Sequence, residues 1–356
     1  MQLSVLIATH RAGLLPCSRI AQACSWAGPN LEVIVRDNSG DAQKRALLPQ
    51  FQRDNCNIII AEPCDGLTNL WEILKLARGK FIFMVADDDL CFDHGVAALP
   101  EALKQIEDDP SVVGVTGDYV VEMAQKSAFA SFQNLDVDDV VDRATNFLNY
   151  DGPSVLHYSP IRRDLMLRIF ALMNGLPCYC SFHDQITCFF FLLNGKFVRL
   201  RRLLYLYELG AWEKAETGQQ RDVDFYKNAG LDPAINKLQW LLCGFEGAAL
   251  VMHSDQMPDH SKAQRQAIAD RWFAVNFARF KNHERLTFGS PHTAEAEKLC
   301  AKYRAPAAQI SFESMLVDIS TFMARFSQAR AQSYFDYWSA LISKKSSSRL
   351  ADAVGA

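Results

Sequence analysis

Three adjacent carboxylates, Asp87, Asp88 and Asp89, follow the apolar run FIFMVA at residues 81–86. Neighbouring carboxylates repel one another, and partial burial at the mouth of a cleft disfavours the charged form of a carboxylic acid. A divalent cation removes both penalties, and Mg2+ or Mn2+ uses one or two protein carboxylates and takes its other ligands from water and substrate phosphates. The triplet therefore predicts a metal ion that bridges the protein and a diphosphate. The competing interpretation is a solvated acidic turn or helix N-terminus.

The elements around the triplet indicate a parallel sheet. Four short β-rich runs alternate with segments of helical spacing, namely LSVLIAT, LEVIVRD, NIIIAE and KFIFMVA. This alternation is typical of a parallel sheet with helices on both faces. Ligands of such sheets bind at the carboxyl ends of the strands. Because Asp37 ends the second run, we expect it on the same rim as Asp87 to Asp89, where these carboxylates can share one ligand.

The chain beyond the triplet continues the mixed pattern and then becomes helical. The spacing of apolar residues predicts a helix over 95–106, a strand over 112–121, a helix over 162–173, and a helix over 184–193 that a strand follows. Residues 124–151 are acidic and weakly periodic, which indicates an insertion or mobile excursion. The predicted organisation is an α/β domain at 1–210, a linker or lid at 211–224, an α-helical domain at 225–345 and a flexible tail at 346–356.

Composition excludes several classes of protein. The chain has 356 residues, a formal net charge of -4 and 49% hydrophobic residues, which is ordinary for a globular protein and gives no basic field for nucleic acid. Its ten cysteines include no CxxC pair, so neither a zinc ribbon nor a disulfide framework is predicted. The N-terminus has no basic leader, and no apolar window approaches the ~18 residues of a membrane span. We expect a cytoplasmic protein.

Four segments together resemble family-2 glycosyltransferases of the GT-A fold, the type that builds bacterial polysaccharides and surface glycans. They are LSVLIATHRAGLL, EVIVRDNSGD, NLWEILKLARGKFIFMVADDDL and SFHDQITCFFFLLNGKFVRL, in the order and rough spacing of that family. The resemblance covers about residues 2–208. It implies a Rossmann-like, mostly parallel sheet of the nucleotide-diphospho-sugar transferase type with helices on both faces, here followed by a C-terminal helical domain that lies outside the resemblance.

The resemblance also assigns roles to individual residues. Thr9 corresponds to the first-strand loop that touches the nucleotide, and either His10 or Arg11 meets the base. Asp37 corresponds to the family aspartate that hydrogen-bonds the uracil or its ribose. The other residues that the resemblance places at the donor site are Asn38, Asp65, Gly66 and Asn69, together with Asp87 and Asp88 of the triplet.

The metal and base assignments complete the predicted site. Asp87, Asp88 and Asp89 correspond to the family's DXD motif, with either Asp87 and Asp89 or Asp88 and Asp89 as the ligands of Mn2+ or Mg2+. Asp184 corresponds to the catalytic base, although the glutamate that usually precedes it is His183 here. A metal that neutralises the leaving diphosphate and a base that takes the acceptor proton from the opposite side are what sugar transfer requires.

The resemblance implies an inverting, metal-dependent glycosyltransferase of the hexosyltransferase type (EC 2.4). Its donor would be a nucleotide sugar, with UDP the expected nucleotide, and its acceptor a glycan or lipid-linked molecule of bacterial surface polysaccharide synthesis. One alternative is a non-catalytic GT-A-like scaffold or glycan-binding subunit. Another is a nucleotidyltransferase, which should have a glycine-rich, basic loop after the first strand, whereas ATHRAGLLP has one glycine and one arginine.

The C-terminal segment carries apolar aromatic residues before a cluster of basic ones. Tyr334, Phe335 and Trp338 precede Lys344 and Lys345 in SYFDYWSALISKKSSSR. Packing against the helical domain is the first interpretation of this pattern. Peripheral contact with an anionic membrane at its inner face, near a lipid-linked acceptor, is the second.

Overall fold

The structure is a computed structural model of the whole chain. It describes residues 1–123, 126–150, 156–180, 182–208, 215–257, 260–286, 289–305 and 311–354. These residues divide into two compact units. We call Met1–Asn174 with Thr187–Glu213 the sheet unit, and Gly175–Ile186 with Lys214–Ala356 the helical unit.

All strands of the described chain lie in the sheet unit and form one mixed sheet. Their bounds are β1 Leu3–Thr9, β2 Leu31–Asp37, β3 Cys56–Ile60, β4 Phe81–Met84, β5 Leu90–Cys91, β6 Val112–Met123, β7 Lys126–Ala130, β8 Ile161–Arg162 and β9 Lys196–Glu208. The strand order is β3-β2-β1-β4-β8-β6-β9-β5, and β7 pairs with β6. The four strands β3, β2, β1 and β4 are parallel, so their carboxyl ends meet at one edge.

The helices of the described chain surround the sheet or form the helical unit. Their bounds are α1 Leu15–Ser25, α2 Ala42–Leu47, α3 Gly66–Leu74, α4 Asp93–Ile106, α5 Val140–Leu148, α6 Arg163–Asn174, α7 His183–Leu193, α8 Ala215–Asn228, α9 Gln239–His253, α10 Lys262–Asn282, α11 Thr293–Arg304, α12 Phe312–Met323 and α13 Gln328–Val354. Helices α1 and α3 pack on β1 and β2, and α4 packs on β6 and β9. The chain passes from the helical unit back to the sheet unit within α7.

The predicted fold class is confirmed, and its strongest elements have the predicted positions. The runs LSVLIAT and LEVIVRD coincide with β1 and β2, whose residues are almost all buried. The predicted helices over 95–106, 162–173 and 184–193 correspond to α4, α6 and α7. These segments were predictable because each has a continuous apolar run or a helical stripe that matches its burial.

The structure differs from the sequence-based expectation in three places. Residues 126–130 and 140–148, where an insertion or mobile excursion was expected, form β7 and α5, which argues against the mobile alternative only. Asp139 caps α5, and the buried Val140 and Leu148 give it an apolar side. Residues 211–214 of the predicted linker or lid lie outside the described residues, and α8 begins at Ala215, within the remainder of that segment. Helix α13 continues to Val354, through the predicted tail.

The helical unit contains the aromatic residues for which membrane contact was the second interpretation. Tyr334 and Trp338 of α13 are buried, at 1% and 0% exposure, and Trp338 lies against Phe245 of α9 with ring centroids 5.6 Å apart. Packing within the helical unit therefore accounts for these two side chains, and peripheral membrane contact stays a prediction. In the described part of the chain, every helix is too short or too polar to cross a membrane.

Candidate functional site

The carboxyl ends of β1 and β2 bring two predicted donor-site residues together. Thr9 and Asp37 end these strands and face each other in the parallel register. Both are fully buried, and the Thr9 carbonyl oxygen accepts a hydrogen bond from the amide of Asn38 at 3.0 Å. A buried carboxylate is costly unless it is paired. The partner of Asp37 comes from the next helix.

Lys44 of α2 is that partner, and its side chain is 0% exposed. Its Nζ lies 2.9 Å from Oδ1 of Asp37 and donates to the Thr9 hydroxyl at 2.6 Å. It also donates to the carbonyl oxygen of Arg11 at 2.9 Å. One buried ammonium thus joins the ends of both strands to the loop that follows β1.

Sequence reasoning did not identify Lys44, although a signal for it was present. Lys44 is the buried residue of α2, and the next buried residue, Leu48, follows directly after the end of that helix. Asp41 caps α2, because its carboxylate accepts the amide hydrogen of Lys44 at 2.8 Å. The sequence signal is a lysine three residues after the helix-capping Asp41 and seven residues after Asp37.

Arg11 connects the same loop to the acidic triplet. Its guanidinium forms an ion pair with Asp88, and its Nε lies 3.6 Å from Oδ1 of Asp87. Burial would lower the pKa of Arg11, but the hydrogen bond to Asp88 and the nearby carboxylates outweigh it and raise that pKa. The Thr9 hydroxyl donates to Asp87. The structure therefore groups Thr9, Arg11 and Asp37 with two carboxylates of the triplet.

Asp89 is held by hydrogen-bond donors from β9. The Tyr205 hydroxyl donates to Oδ2 of Asp89 at 2.5 Å, and the Glu208 amide donates to Oδ1 at 3.0 Å. Burial raises the pKa of Asp89 to about 6, the two hydrogen bonds oppose this shift, and the charge of Asp88 adds to it. Tyr205 was not predicted, because nothing in its sequence surroundings links it to a residue more than a hundred positions earlier.

A divalent ion at the triplet could use only some of the three carboxylates as ligands. Within the described ranges, no group of three His, Cys, Asp or Glu side chains is arranged to hold a metal ion. Magnesium and manganese need only one or two protein carboxylates when phosphates and water supply the rest. The side chain of Asp88 is 31% exposed and that of Asp87 only 7%. Asp88 is therefore the most accessible carboxylate that an ion could reach, and in this structure it pairs with Arg11.

A second group of hydrogen-bonded polar side chains, Arg36, Asn38 and Asn69, lies at the end of β2. The side-chain amide of Asn38 donates to the carbonyl oxygen of Cys64 at 2.7 Å, and its oxygen accepts from Asn69 at 2.9 Å. Arg36 donates to the side-chain oxygen of Asn69. These contacts connect the end of β2 to α3 and bring Asn38 and Asn69 together, while their part in a donor site stays a prediction.

Asp65, Gly66 and His10 are exposed. Asp65 caps α3, with its carboxylate accepting the amide hydrogen of Thr68 at 2.9 Å, and Gly66 is the first residue of that helix. Burial would raise the pKa of Asp65, but the hydrogen bonds from Thr68 outweigh it and lower that pKa. Capping thus accounts for Asp65 whether or not it also contacts a ligand.

Asp184 lies in the helical unit, whereas the other predicted site residues lie in the sheet unit. Its side chain is exposed in the first turn of α7, and the hydroxyl of Tyr179 donates to its Oδ1 at 3.0 Å. A carboxylate in this position interacts favourably with the helix dipole. The neighbouring His183 is fully buried and hydrogen-bonds to Glu246 of α9 at 2.9 Å.

Comparison with known proteins supports the fold. No protein-family model and no curated protein matches the chain. Solved structures of S. aureus TarS 1-349 do match, with a TM-score of 0.53 and 12% identity over 96% of this chain and 91% of that chain. For the complex of TarS 1-349 with UDP-GlcNAc the TM-score is 0.53 and the identity 15%, over 98% of this chain and 92% of that chain. For its complex with UDP the TM-score is 0.51 and the identity 14%, over 98% of this chain and 92% of that chain. At these identities the likeness concerns the fold, which is a curled, mostly parallel sheet with surrounding helices and a helical C-terminal region.

Proposed function

We propose that this chain is a glycosyltransferase that moves a sugar from a nucleoside diphosphate, with UDP the expected nucleotide, to a hydroxyl of a glycan or lipid-linked acceptor. The observation that carries the proposal is the cluster of Thr9, Arg11, Asp37, Asp87 and Asp88 at the carboxyl edge of the parallel strands. That edge is the ligand-binding edge of such sheets. TarS, a glycosyltransferase of similar fold, has been solved with UDP-GlcNAc and with UDP.

The proposed reaction is inverting. The acceptor hydroxyl oxygen attacks the anomeric carbon while Asp184 accepts the hydroxyl proton. The bond from the anomeric carbon to the diphosphate oxygen breaks on the opposite side, and the nucleoside diphosphate leaves with that electron pair. In this proposal Arg11, which pairs with Asp88 in the structure, binds phosphate oxygens, because the N–H donors of a guanidinium recognise phosphate as well as carboxylate.

Metal dependence is part of the proposal. A bound Mn2+ or Mg2+ would neutralise the charge that develops on the leaving diphosphate. Asp88 would hold it, with Asp87 or Asp89 as a second ligand. The buried Lys44 keeps the strand ends and the Arg11 carbonyl in place around that position.

A donor panel tests this function against the alternatives. The chain is incubated with a set of nucleoside-diphosphate sugars, and separately with nucleoside triphosphates and sugar phosphates. Each incubation is run with manganese or with a chelator, and the released products are identified. A glycosyltransferase releases nucleoside diphosphate, and manganese should increase the rate. Release of pyrophosphate from nucleoside triphosphate and sugar phosphate would instead indicate a nucleotidyltransferase. Binding without turnover of any donor would indicate a non-catalytic scaffold.

A further inference from the structure

Glu246 is a buried carboxylate in a helix that is otherwise almost entirely apolar. It lies in α9, within WLLCGFEGAALVM, and is 1% exposed. Its Oε2 lies 2.9 Å from Nε2 of His183, and its Oε1 accepts the hydroxyl hydrogen of Tyr334 at 2.8 Å. A buried polar pair of this kind is weak evidence for stability, because apolar side chains of similar volume often serve a core equally well. Because stability does not explain this carboxylate, the role of Glu246 is sought in its contact with His183.

That partner, His183, is fixed from several sides. The amide of Cys180 donates to Nδ1 at 2.7 Å, Nδ1 also lies 3.0 Å from the carbonyl oxygen of Cys180, and Nε2 lies 2.9 Å from the carboxylate of Glu246. The imidazole stacks on Tyr179 and Phe182, with ring centroids 5.1 and 4.4 Å away. Since His183 is the first residue of α7, these contacts set the position and direction of the first turn of that helix.

Asp184 is the next residue and receives a direct contact from the same group. Tyr179, whose ring lies on His183, donates its hydroxyl hydrogen to Oδ1 of Asp184 at 3.0 Å. The hydrogen bond fixes one carboxylate oxygen while the side chain as a whole stays exposed. The buried pair and the exposed carboxylate are thus joined through one tyrosine.

Two further helices of the helical unit hold the same segment. Arg279 of α10 donates to the side-chain oxygen of Gln185 at 3.1 Å. Arg330 of α13 donates to the carbonyl oxygen of Pro177 at 3.1 Å. Residues 175–186 therefore belong to the helical unit by side-chain contacts from α9, α10 and α13.

We propose that Glu246, acting through His183, and Tyr179, acting directly, are positioning residues for Asp184. This inference rests on the proposed function, in which Asp184 is the base. The helical unit then has a defined part in the reaction, because it fixes the direction in which the base points. Tyr179 orients the carboxylate that accepts the acceptor proton, and Glu246 fixes the turn from which that carboxylate projects.

The test compares Tyr179→Phe and Glu246→Gln with a matched control, Tyr303→Phe. Tyr303 is a buried tyrosine of the helical unit whose hydroxyl donates to Asp318 at 2.6 Å, so the control also removes a tyrosine–aspartate hydrogen bond. Loss of a hydrogen bond to a charged group should lower kcat of Tyr179→Phe about 10-fold. Misorientation of the base should lower kcat of Glu246→Gln on the order of 10-fold to 100-fold. UDP affinity should stay within about twofold in all three, and Tyr303→Phe should keep the parent kcat.

Each substitution is repeated in an Asp184→Asn background, where the positioning residues have no base to orient. Neither Tyr179→Phe nor Glu246→Gln should lower the residual rate further, whereas a general loss of structure would lower it again. If Asp184→Asn itself keeps the parent rate, the assignment of the base is wrong. If Asp184→Asn is impaired but Tyr179→Phe and Glu246→Gln behave like Tyr303→Phe, the positioning inference is wrong and the base assignment survives.

Hydrogen exchange gives a readout that needs no acceptor and no turnover. Amides of residues 178–186 should exchange faster in Glu246→Gln than in the parent, while those of α12, which contains Asp318, should not change. In Tyr303→Phe the amides of α12 should exchange faster than in the parent, while those of residues 178–186 should not change. Unchanged exchange over 178–186 in Glu246→Gln would overturn the role of Glu246, and Tyr179→Phe would still test the direct contact through kcat.

Discussion

At the scale of single residues, Lys44 determines how the candidate donor site is built. Its ammonium contacts the side chains of Thr9 and Asp37 and the carbonyl oxygen of Arg11, and water does not reach it. Asp37 is fully buried, has this ammonium as its counter-ion and also accepts hydrogen bonds from the amide and hydroxyl of Ser39. Asp37 thus has a structural role in the internal ion pair with Lys44.

Lys44→Met should destabilise the fold far more than a comparable change at the surface. It leaves Asp37 buried without its counter-ion, and breaking a buried pair in this way costs about 3–5 kcal/mol. The control is Lys75→Met, because the ion pair of Lys75 with Glu72 is short, at 2.7 Å, but half exposed. Such a pair is worth less than about 1 kcal/mol. Urea denaturation that gives equal free energies of unfolding for the two variants would contradict the role of Lys44.

The pKa of Asp89 predicts a pH-dependent term in stability. Burial raises this pKa to about 6, so the fold favours the protonated form. A carboxyl group whose pKa is higher in the folded than in the unfolded state stabilises the folded state fully at pH values below its unfolded pKa of about 4. That stabilisation is lost as the pH rises through the folded pKa of about 6. Relative to Asp89→Asn, the parent should lose on the order of 3 kcal/mol of unfolding free energy between about pH 4 and 7.

The measurement is urea denaturation of both proteins across that pH range, with a chelator and without nucleotide. Asp89→Asn has no carboxyl to titrate, so all other groups cancel in the difference between the two proteins. A difference that does not change with pH would mean that Asp89 titrates at its ordinary value. A difference that changes in the parent's favour would mean that the hydrogen bonds from Tyr205 and Glu208 outweigh its burial.

At the scale of elements, the sequence predicts those strands and helices whose structure follows from a single pattern of apolar residues. The strands β1 and β2 and the helices α4, α6 and α7 follow from apolar runs and stripes, and the common edge of Asp37 and Asp87 follows from the parallel order. Contacts made by a side chain from a distant element were not predictable in this way. Tyr205 meets Asp89 across 116 positions and His183 meets Glu246 across 63, and periodicity contains no information about such pairs.

The close packing of α9 on α10 gives a prediction about two glycines of the same helix. A methyl group at Gly247 would lie 2.2 Å from Nε1 of Trp272, whereas at Gly244 it would lie 3.4 Å from the nearest atoms of Phe273 and Asn276. The Trp272 indole donates to the carbonyl oxygen of Cys243 at 2.8 Å, so it cannot move without losing that bond. Gly247→Ala should therefore destabilise.

Overpacking of this kind costs about 1–3 kcal/mol, and it acts against a gain in helix propensity of about 0.5–1 kcal/mol for alanine. Gly244→Ala has the same gain and a much smaller steric cost, so it should be near neutral. Thermal unfolding of the two variants measures the contrast. A Gly247→Ala variant at least as stable as Gly244→Ala would show that Trp272 has room to shift.

At the scale of the whole molecule, the predicted donor residues and the predicted base belong to different compact units. Asp184→Asn keeps the shape of the side chain but removes its ability to take a proton, so transfer should fall on the order of 100-fold to 10,000-fold. UDP affinity should not change, because the residues predicted to bind the donor lie in the sheet unit. Single-turnover transfer, measured beside UDP affinity, separates these effects. An Asp184→Asn variant within about threefold of the parent rate would make Asp184 a structural carboxylate.

Calorimetric titration of UDP, with manganese and with a chelator, tests the central claim most directly. It compares the parent with Asp88→Asn, which removes the most accessible carboxylate of the triplet, and with Asp184→Asn as the matched aspartate control. We predict that the parent and Asp184→Asn bind UDP with equal affinity when manganese is present. We predict also that the chelator and Asp88→Asn each weaken binding by at least about 10-fold, which corresponds to 1.4 kcal/mol. Absence of UDP binding by the parent, or equal binding under all of these conditions, would contradict a metal-assisted nucleotide-sugar site at the acidic triplet.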